Sequence, residues 1–154
     1  MLNGRGRERG SVLLLFPAGL LAVIVLAAIA VDASIAFLGE RELAAAVAAA
    51  ANDAATEAIS DEAFYRAGRV ELDAGEVERV AEERVRASLD SGRHRGLEVR
   101  ASVIPAAGGC AWSLRVEAAA TVRYIFSPAV PGGPDEARVD SAATSSPVQE
   151  GGAC

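Results

Sequence analysis

An uncharged run of twenty residues, from Val12 to Val31, constrains this chain more than any other feature. Thirteen of the twenty are Leu, Ile, Val or Phe, and a helix of that length covers the roughly 30 Å hydrocarbon core of a bilayer. Pro17 and Gly19 lie in the first turns of the run, where membrane helices tolerate both residues. The sequence therefore predicts a transmembrane helix over residues 11–33, with the lipid bilayer as its partner.

The charges that flank the run predict its orientation. Arg5, Arg7 and Arg9 precede it, whereas Asp32 follows it directly. Basic residues favour the cytoplasmic side of a membrane. Residues 1–10 are therefore expected to form a basic cytoplasmic leader, and the bulk of the chain is expected outside. The predicted localisation is the cytoplasmic membrane, crossed once, with the N-terminus inside and the C-terminal domain outside.

Two kinds of processing compete with a plain anchor. A secretory signal also begins with a basic segment and an apolar core, and Ala28-Ile29-Ala30 offers a cleavage site that would release a small secreted protein. However, the run is longer than the usual signal core, and helical sequence continues past this site. Prepilin-type leaders instead end in glycine before an apolar helix, which makes Gly10 and Ser11 a candidate processing junction. Leu15 stands where pilins usually carry glutamate.

Four short motifs follow one another along the N-terminal part of the chain. They are Phe16-Pro17, Ala30-Val31-Asp32, Arg41-Glu42-Leu43 and Ala50-Ala51-Asn52-Asp53-Ala54-Ala55. Together they resemble the TadE/TadG-like proteins of tight-adherence (Flp) pilus assembly, over residues 10–59. The resemblance implies a minor pilin-like or assembly component of a Flp/Tad-type pilus or secretion apparatus. It also implies other pilus-assembly or pilin-like membrane subunits as partners, and it implies no catalytic residues.

The segment after the apolar run predicts a helical stalk over residues 34–60. It is rich in alanine, which favours helix, and Leu43, Val47, Ala51 and Ala55 recur at i+4 spacing. We expect one unbroken helix from the membrane segment through the stalk. Its small-residue face is expected to pack on the protein's own sheet, and close approach by a partner helix is the alternative.

The remainder of the chain alternates between helical and strand patterns. Asp73 and Glu76 form a capping box at the start of a helix predicted over residues 74–90. Apolar residues then alternate with polar ones over Leu97–Val103 and Trp112–Phe126, which predicts an antiparallel hairpin.

A weaker alternating stretch, Ala137–Ser145, predicts a third strand at the edge of the sheet, with Val139 facing inward. Residues 61–145 are therefore expected to form a small extracytoplasmic α+β domain, and residues 146–154 a flexible tail. The predicted fold class is α+β. A long N-terminal transmembrane and stalk helix precedes a small helix-plus-antiparallel-hairpin domain, in an order that resembles the pilin-like architecture.

Composition and motifs argue against a catalytic, metal-binding or nucleic-acid-binding function. All fifteen basic residues are arginine, a usage typical of a GC-rich bacterial genome. The net charge is −6, and the chain lacks the basic stripe that nucleic-acid binding requires. The sole histidine, His94, is expected in an exposed turn, and no nucleophile, phosphate-loop or metal-ligand pattern occurs. We predict no enzyme activity, cofactor, metal or small-molecule substrate. A membrane-anchored extracytoplasmic binding module is the alternative function.

Two further features are candidate sites. Asp32 lies at the outer end of the apolar run, so it is expected at the membrane interface, in contact with water and headgroups or with a partner helix. Cys110 and Cys154 are a candidate disulfide, because an extracytoplasmic domain lies in an oxidising compartment.

Overall fold

The computed structural model describes residues 9–57, 73–89, 92–105 and 112–146. Two helices precede a three-stranded antiparallel sheet, so the predicted α+β class is confirmed. The elements are helix α1 (Arg9–Glu57), helix α2 (Ala74–Ser88), and strands β1 (His94–Pro105), β2 (Trp112–Arg123) and β3 (Glu136–Ser145). A short 3-10 helix, Ser127–Ala129, lies between β2 and β3. We refer to α2, the three strands and the loop between β2 and β3 as the head.

Helix α1 is a single helix of 49 residues. At 1.5 Å per residue it is about 74 Å long. It contains Pro17, but only in its third turn, where few backbone hydrogen bonds precede the ring. The unbroken helix that the sequence predicts is present as far as Glu57, while Ala58 and Ile59 lie outside the described residues.

The two halves of α1 have different surroundings. Residues 15–27 are exposed throughout, although nearly all are apolar. Among the described residues, α1 is the one helix that is long and apolar enough to cross a membrane. The second half is buried along a face of small and branched residues: Leu43, Ala46, Val47, Ala50, Ala51, Ala54 and Ala55. This face packs against α2, β2 and β3, which confirms that the alanine-rich segment covers the protein's own sheet.

Helix α2 begins at the predicted cap. The Asp73 carboxylate accepts hydrogen bonds from the backbone N–H groups of Gly75 (2.8 Å) and Glu76 (3.1 Å). The Glu76 carboxylate, expected to complete the capping box, accepts instead from the Arg79 guanidinium (2.9 Å from Nε). Those hydrogen bonds hold the pKa of Glu76 below its ordinary value. The inner face of α2 is aliphatic and buried: Val77, Val80, Ala81 and Val85.

The sheet has the order β1-β2-β3, so β2 is its central strand. The predicted alternation on β2 is confirmed, because its inward residues are all buried: Leu114, Val116, Ala118, Ala120 and Val122. The predicted edge strand is confirmed as β3, with Val139 buried. Strand β2 ends at Arg123, three residues before the predicted end at Phe126. It ends early because, beyond Tyr124, the N–H groups of Ile125 and Phe126 bind a side chain of α1 rather than another strand.

Strand β1 begins earlier than predicted, at His94 instead of Leu97. A bulge between Arg95 and Glu98 interrupts its pairing with β2, and Gly96 takes a positive φ of 60° there. That bulge breaks the alternating pattern in the sequence, which is why the first residues of the strand resembled a turn.

Candidate functional site

The most distinctive polar arrangement joins α1 to the loop between β2 and β3, residues 124–135, which we call the junction loop. The Asp32 carboxylate accepts hydrogen bonds from three consecutive backbone N–H groups of this loop. Oδ1 lies 2.9 Å from the nitrogen of Ile125 and 3.1 Å from that of Phe126, and Oδ2 lies 2.6 Å from that of Ser127. Asp32 retains only 6 % of its accessible surface. The helix and the loop are therefore joined by a charge-assisted contact.

The local sequence explains why the loop needs this carboxylate. The 3-10 helix Ser127–Ala129 has a proline in its first turn, and its N-cap residue Phe126 makes no side-chain capping bond. The N–H groups at the start of such a turn have no acceptor within the turn. Asp32, which is more than ninety residues earlier in the chain, supplies the missing acceptor.

Hydrogen bonds within the junction loop fix its shape. The N–H of Tyr124 donates to the carbonyl oxygen of Asp135 (3.0 Å), and that of Gly133 donates to Val130 (2.8 Å). A Cβ atom at Gly133 would clash with the carbonyl oxygen of Ser127, so glycine is required at this position. The loop therefore presents its three N–H groups to Asp32 from a constrained backbone.

A second contact lies two turns further along α1, at Gly39. This residue is buried, and a Cβ atom placed on it would lie 2.7 Å from Cγ2 of Val122. Because glycine has no Cβ, the helix backbone at this position can approach β2 more closely than it could with any other residue. His94 lies opposite Val122 in the strand register, and its Nε2 donates to the carbonyl oxygen of Gly39 at 3.1 Å.

The prediction that His94 is an exposed loop residue is wrong. It is the first residue of β1, it is 5 % exposed, and its hydrogen bond to Gly39 holds it beneath α1. Its other ring nitrogen, Nδ1, is buried and has no partner among the described residues. The arginines on both sides of His94 in the sequence suggested a solvent-exposed turn. In the structure His94 belongs to a strand, and the alternation of the strand directs its imidazole inward.

Polar pairs continue along the rest of α1. Glu42 forms an ion pair with Arg93, and Arg84 of α2 bridges to Asp53 (3.4 Å) and to Glu57. Near the end of the helix, the hydroxyl of Ser145 donates to the side-chain oxygen of Asn52 (2.9 Å). These exposed pairs add little stability individually. Together with the buried face they attach the head to α1 from Asp32 to Glu57.

The other candidate site residues fall in different places. Gly10 and Ser11 lie in the first turn of α1. Cys110 and Cys154 lie outside the described residues. Sequence reasoning placed Asp32 at the end of the apolar run but missed the loop of its own chain that binds it. The available signal was Ser127-Pro128-Ala129, a helical start without a capping side chain.

The described residues contain no group of three or more His, Cys, Asp or Glu side chains that could hold a metal ion. The surface depressions lie between strands or beside α1 and are open to solvent. The hydrogen bonds of Asp32 and His94 can hold helix α1 and the head in a fixed relation.

No family model, curated protein or solved structure matches this chain.

Proposed function

We propose that this chain is a single-pass membrane protein whose head lies outside the cytoplasmic membrane, and that it acts as a non-catalytic, minor pilin-like or assembly component of a Flp/Tad-type pilus or secretion apparatus. The observation that supports this proposal most is the division of α1. One unbroken helix has an uncovered apolar first half and a second half buried in the head.

An uncovered apolar helix of this length is costly in water, because its side chains would have to be hydrated. In a bilayer the same surface is favourable, and the helix satisfies its own backbone hydrogen bonds there. The arginines before the run favour an N-terminus inside the cell. The polar pairs of the head then lie on the outer side, where water solvates them.

The pilus role is supported by the resemblance of residues 10–59 to TadE/TadG-like proteins and by the order of elements. A long N-terminal helix that continues into the core of a small α+β head resembles a pilin-like subunit. Such a subunit needs a helix that lies in the membrane before assembly and contacts neighbouring helices afterwards. The exposed residues 15–27 provide that surface.

Three measurements on the full-length chain test the membrane part of the proposal. Fractionation should recover the protein with membranes, and protease added outside spheroplasts should digest the head. Intact mass then separates the modes of processing. Loss of residues 1–10 indicates prepilin cleavage, no loss indicates a plain anchor, and loss of residues 1–30 would contradict membrane retention. Full-length protein in the cytosol would also contradict the proposal.

A genetic experiment tests the pilus part. Deletion of the gene should abolish or reduce piliation, and cysteines placed along exposed positions such as Leu21 and Ile24 should cross-link to another membrane subunit. A cysteine at Glu117, on the outer surface of the sheet, serves as the control. Normal piliation without cross-links from the membrane helix would favour the alternative, a membrane-anchored binding module.

A further inference from the structure

The junction loop lies at the level where the apolar run ends. Asp32 directly follows the run, and the Cα–Cβ bonds of a helix tilt toward its N-terminus, so this carboxylate reaches back toward the run. From residue 15 onward, where the burial of α1 is described, the first partly covered residue is Ala28, one turn before Asp32. The 3-10 helix Ser127–Ala129 contacts α1 as well. The loop therefore lies beside the end of the apolar run, at Asp32.

The loop exposes large apolar side chains at this level. Ile125, Phe126 and Val130 are 63 %, 45 % and 60 % exposed. Among the described residues of the head, the other exposed large apolar side chain is Ile104, on a different strand. Single exposed apolar residues are ordinary, but three within six residues form a patch of the kind that marks an interaction surface.

A positively charged side chain, that of Arg123, lies beside this patch. Arg123, the last residue of β2, lines a cleft of about 450 Å³ beside α1 together with Ile35, Leu38 and Ile125. Glu136 lies opposite Arg123 in the strand register, yet within the described part of the chain no ion pair engages this guanidinium. The other arginine of the cleft, Arg93, is paired with Glu42. A free guanidinium beside apolar side chains suits a phosphate at the boundary between headgroups and acyl chains.

We propose that the junction loop docks on the same bilayer that holds α1. Ile125, Phe126 and Val130 enter the boundary between headgroups and acyl chains, and Arg123 binds a lipid phosphate. This inference rests on the proposed membrane anchoring. The anchor keeps the loop at the surface, so weak apolar contacts suffice for docking. The head is thereby held at a fixed height and orientation above the membrane, through Asp32 on one side of the loop and lipid on the other.

Site-directed spin labelling of the full-length chain tests this docking. The protein, with Cys110→Ser and Cys154→Ser, is reconstituted into vesicles of phosphatidylethanolamine and phosphatidylglycerol. One variant carries the label at Val130→Cys and the matched control at Thr144→Cys. Thr144 is also exposed but lies near the opposite end of β3, about 30 Å from the loop. The collision rates of each label are measured with oxygen, which concentrates in lipid, and with a nickel chelate, which stays in water.

We expect the label at position 130 to collide several-fold more with oxygen relative to nickel than the label at position 144. Equal ratios at both positions in vesicles that contain the protein would overturn the docking alone. They would favour a protein as the partner of the patch. Flotation of the vesicles distinguishes the two proposals, because a chain that does not float with lipid overturns the anchoring and the docking together.

A second set of variants checks that the named side chains are responsible. With the label at Ala129→Cys, the double change Ile125→Ser and Val130→Ser should lower the oxygen-to-nickel ratio to the level of the control position. Both side chains are exposed, so the fold is retained. Ile104→Ser, an exposed apolar residue away from the loop, should leave the ratio unchanged. An unchanged ratio in the double variant would also overturn the docking.

Discussion

Replacing Gly39 with alanine tests whether α1 depends on its close approach to the sheet. The added Cβ would lie 2.7 Å from Cγ2 of Val122, whereas carbon atoms in contact are about 3.5–4.0 Å apart. The helix or the strand must therefore move by about 1 Å. Overpacking of this kind costs about 1–3 kcal/mol. The shift also lengthens the hydrogen bond from His94 to Gly39, which is worth about 1 kcal/mol.

The higher helix propensity of alanine offsets about 1 kcal/mol of these costs. We therefore expect Gly39→Ala to lower the free energy of unfolding of the head by about 2 kcal/mol. For a head of this size that corresponds to a decrease in Tm of about 8 °C, at about 4 °C per kcal/mol. The assay is thermal unfolding of the full-length chain in detergent, followed by circular dichroism.

A double-mutant cycle with Val122→Ala isolates the contact. Truncating Val122 alone should destabilise the head, because it leaves a cavity in the core. In that background, however, Gly39→Ala should have no cost or should stabilise the head, so the coupling energy should be about 2 kcal/mol. Gly19→Ala is the matched control, since a Cβ there meets nothing within 4 Å. A Tm for Gly39→Ala equal to that of the wild type would refute the close-approach argument.

Three other variants address separate features. Asp32→Ala should greatly increase hydrogen–deuterium exchange at the amides of residues 125–127, because it removes their acceptor. Leu114→Ala should lower the free energy of unfolding by about 2–5 kcal/mol, measured by urea denaturation, because this side chain is fully buried. Arg84→Met should leave Tm nearly unchanged despite two carboxylate partners, because the pair is about half exposed and solvent screens it.

Matched controls accompany these variants. Glu40→Ala removes an exposed carboxylate from the same helix and should not alter exchange in the junction loop. Ile104→Ala truncates an aliphatic side chain that is 41 % exposed, so its cost should be well below that of the Leu114 variant. Unchanged exchange in Asp32→Ala, or a large loss of Tm in Arg84→Met, would contradict the roles assigned to these side chains.

The elements of this fold could be predicted because their signals are local. The alanine-rich face at i+4 spacing, the aspartate cap at Asp73 and the period of two on β2 each depend on residues that are close in sequence. The ends of elements were less predictable. Strand β2 stops at Arg123 because Asp32 accepts hydrogen bonds from the amides of residues 125–127, and a contact across ninety residues leaves no mark in the local pattern.

The junction could be predicted only in part, for the same reason. Asp32 stood out as a charge at the end of an apolar run. Ser127-Pro128-Ala129 indicated a helical start without a capping side chain, but nothing in the sequence connected it with Asp32. The sequence analysis did not single out Gly39, because a lone glycine in a helical segment indicates only a lower helix propensity. The close approach of Gly39 to the sheet involves Val122 and His94. Both are far from Gly39 in the sequence, and the β1–β2 register places them opposite each other.

The continuity of α1 has a mechanical consequence. Helix bends usually arise at proline, and the described part of α1 has its proline only near the start, at Pro17. Between that point and Glu57 the helix continues without a break. A pull of one helical pitch along the axis, about 5.4 Å, would therefore move the whole sheet by the same distance. A force applied along the axis at the N-terminal end of α1 would therefore be transmitted through the helix to the head.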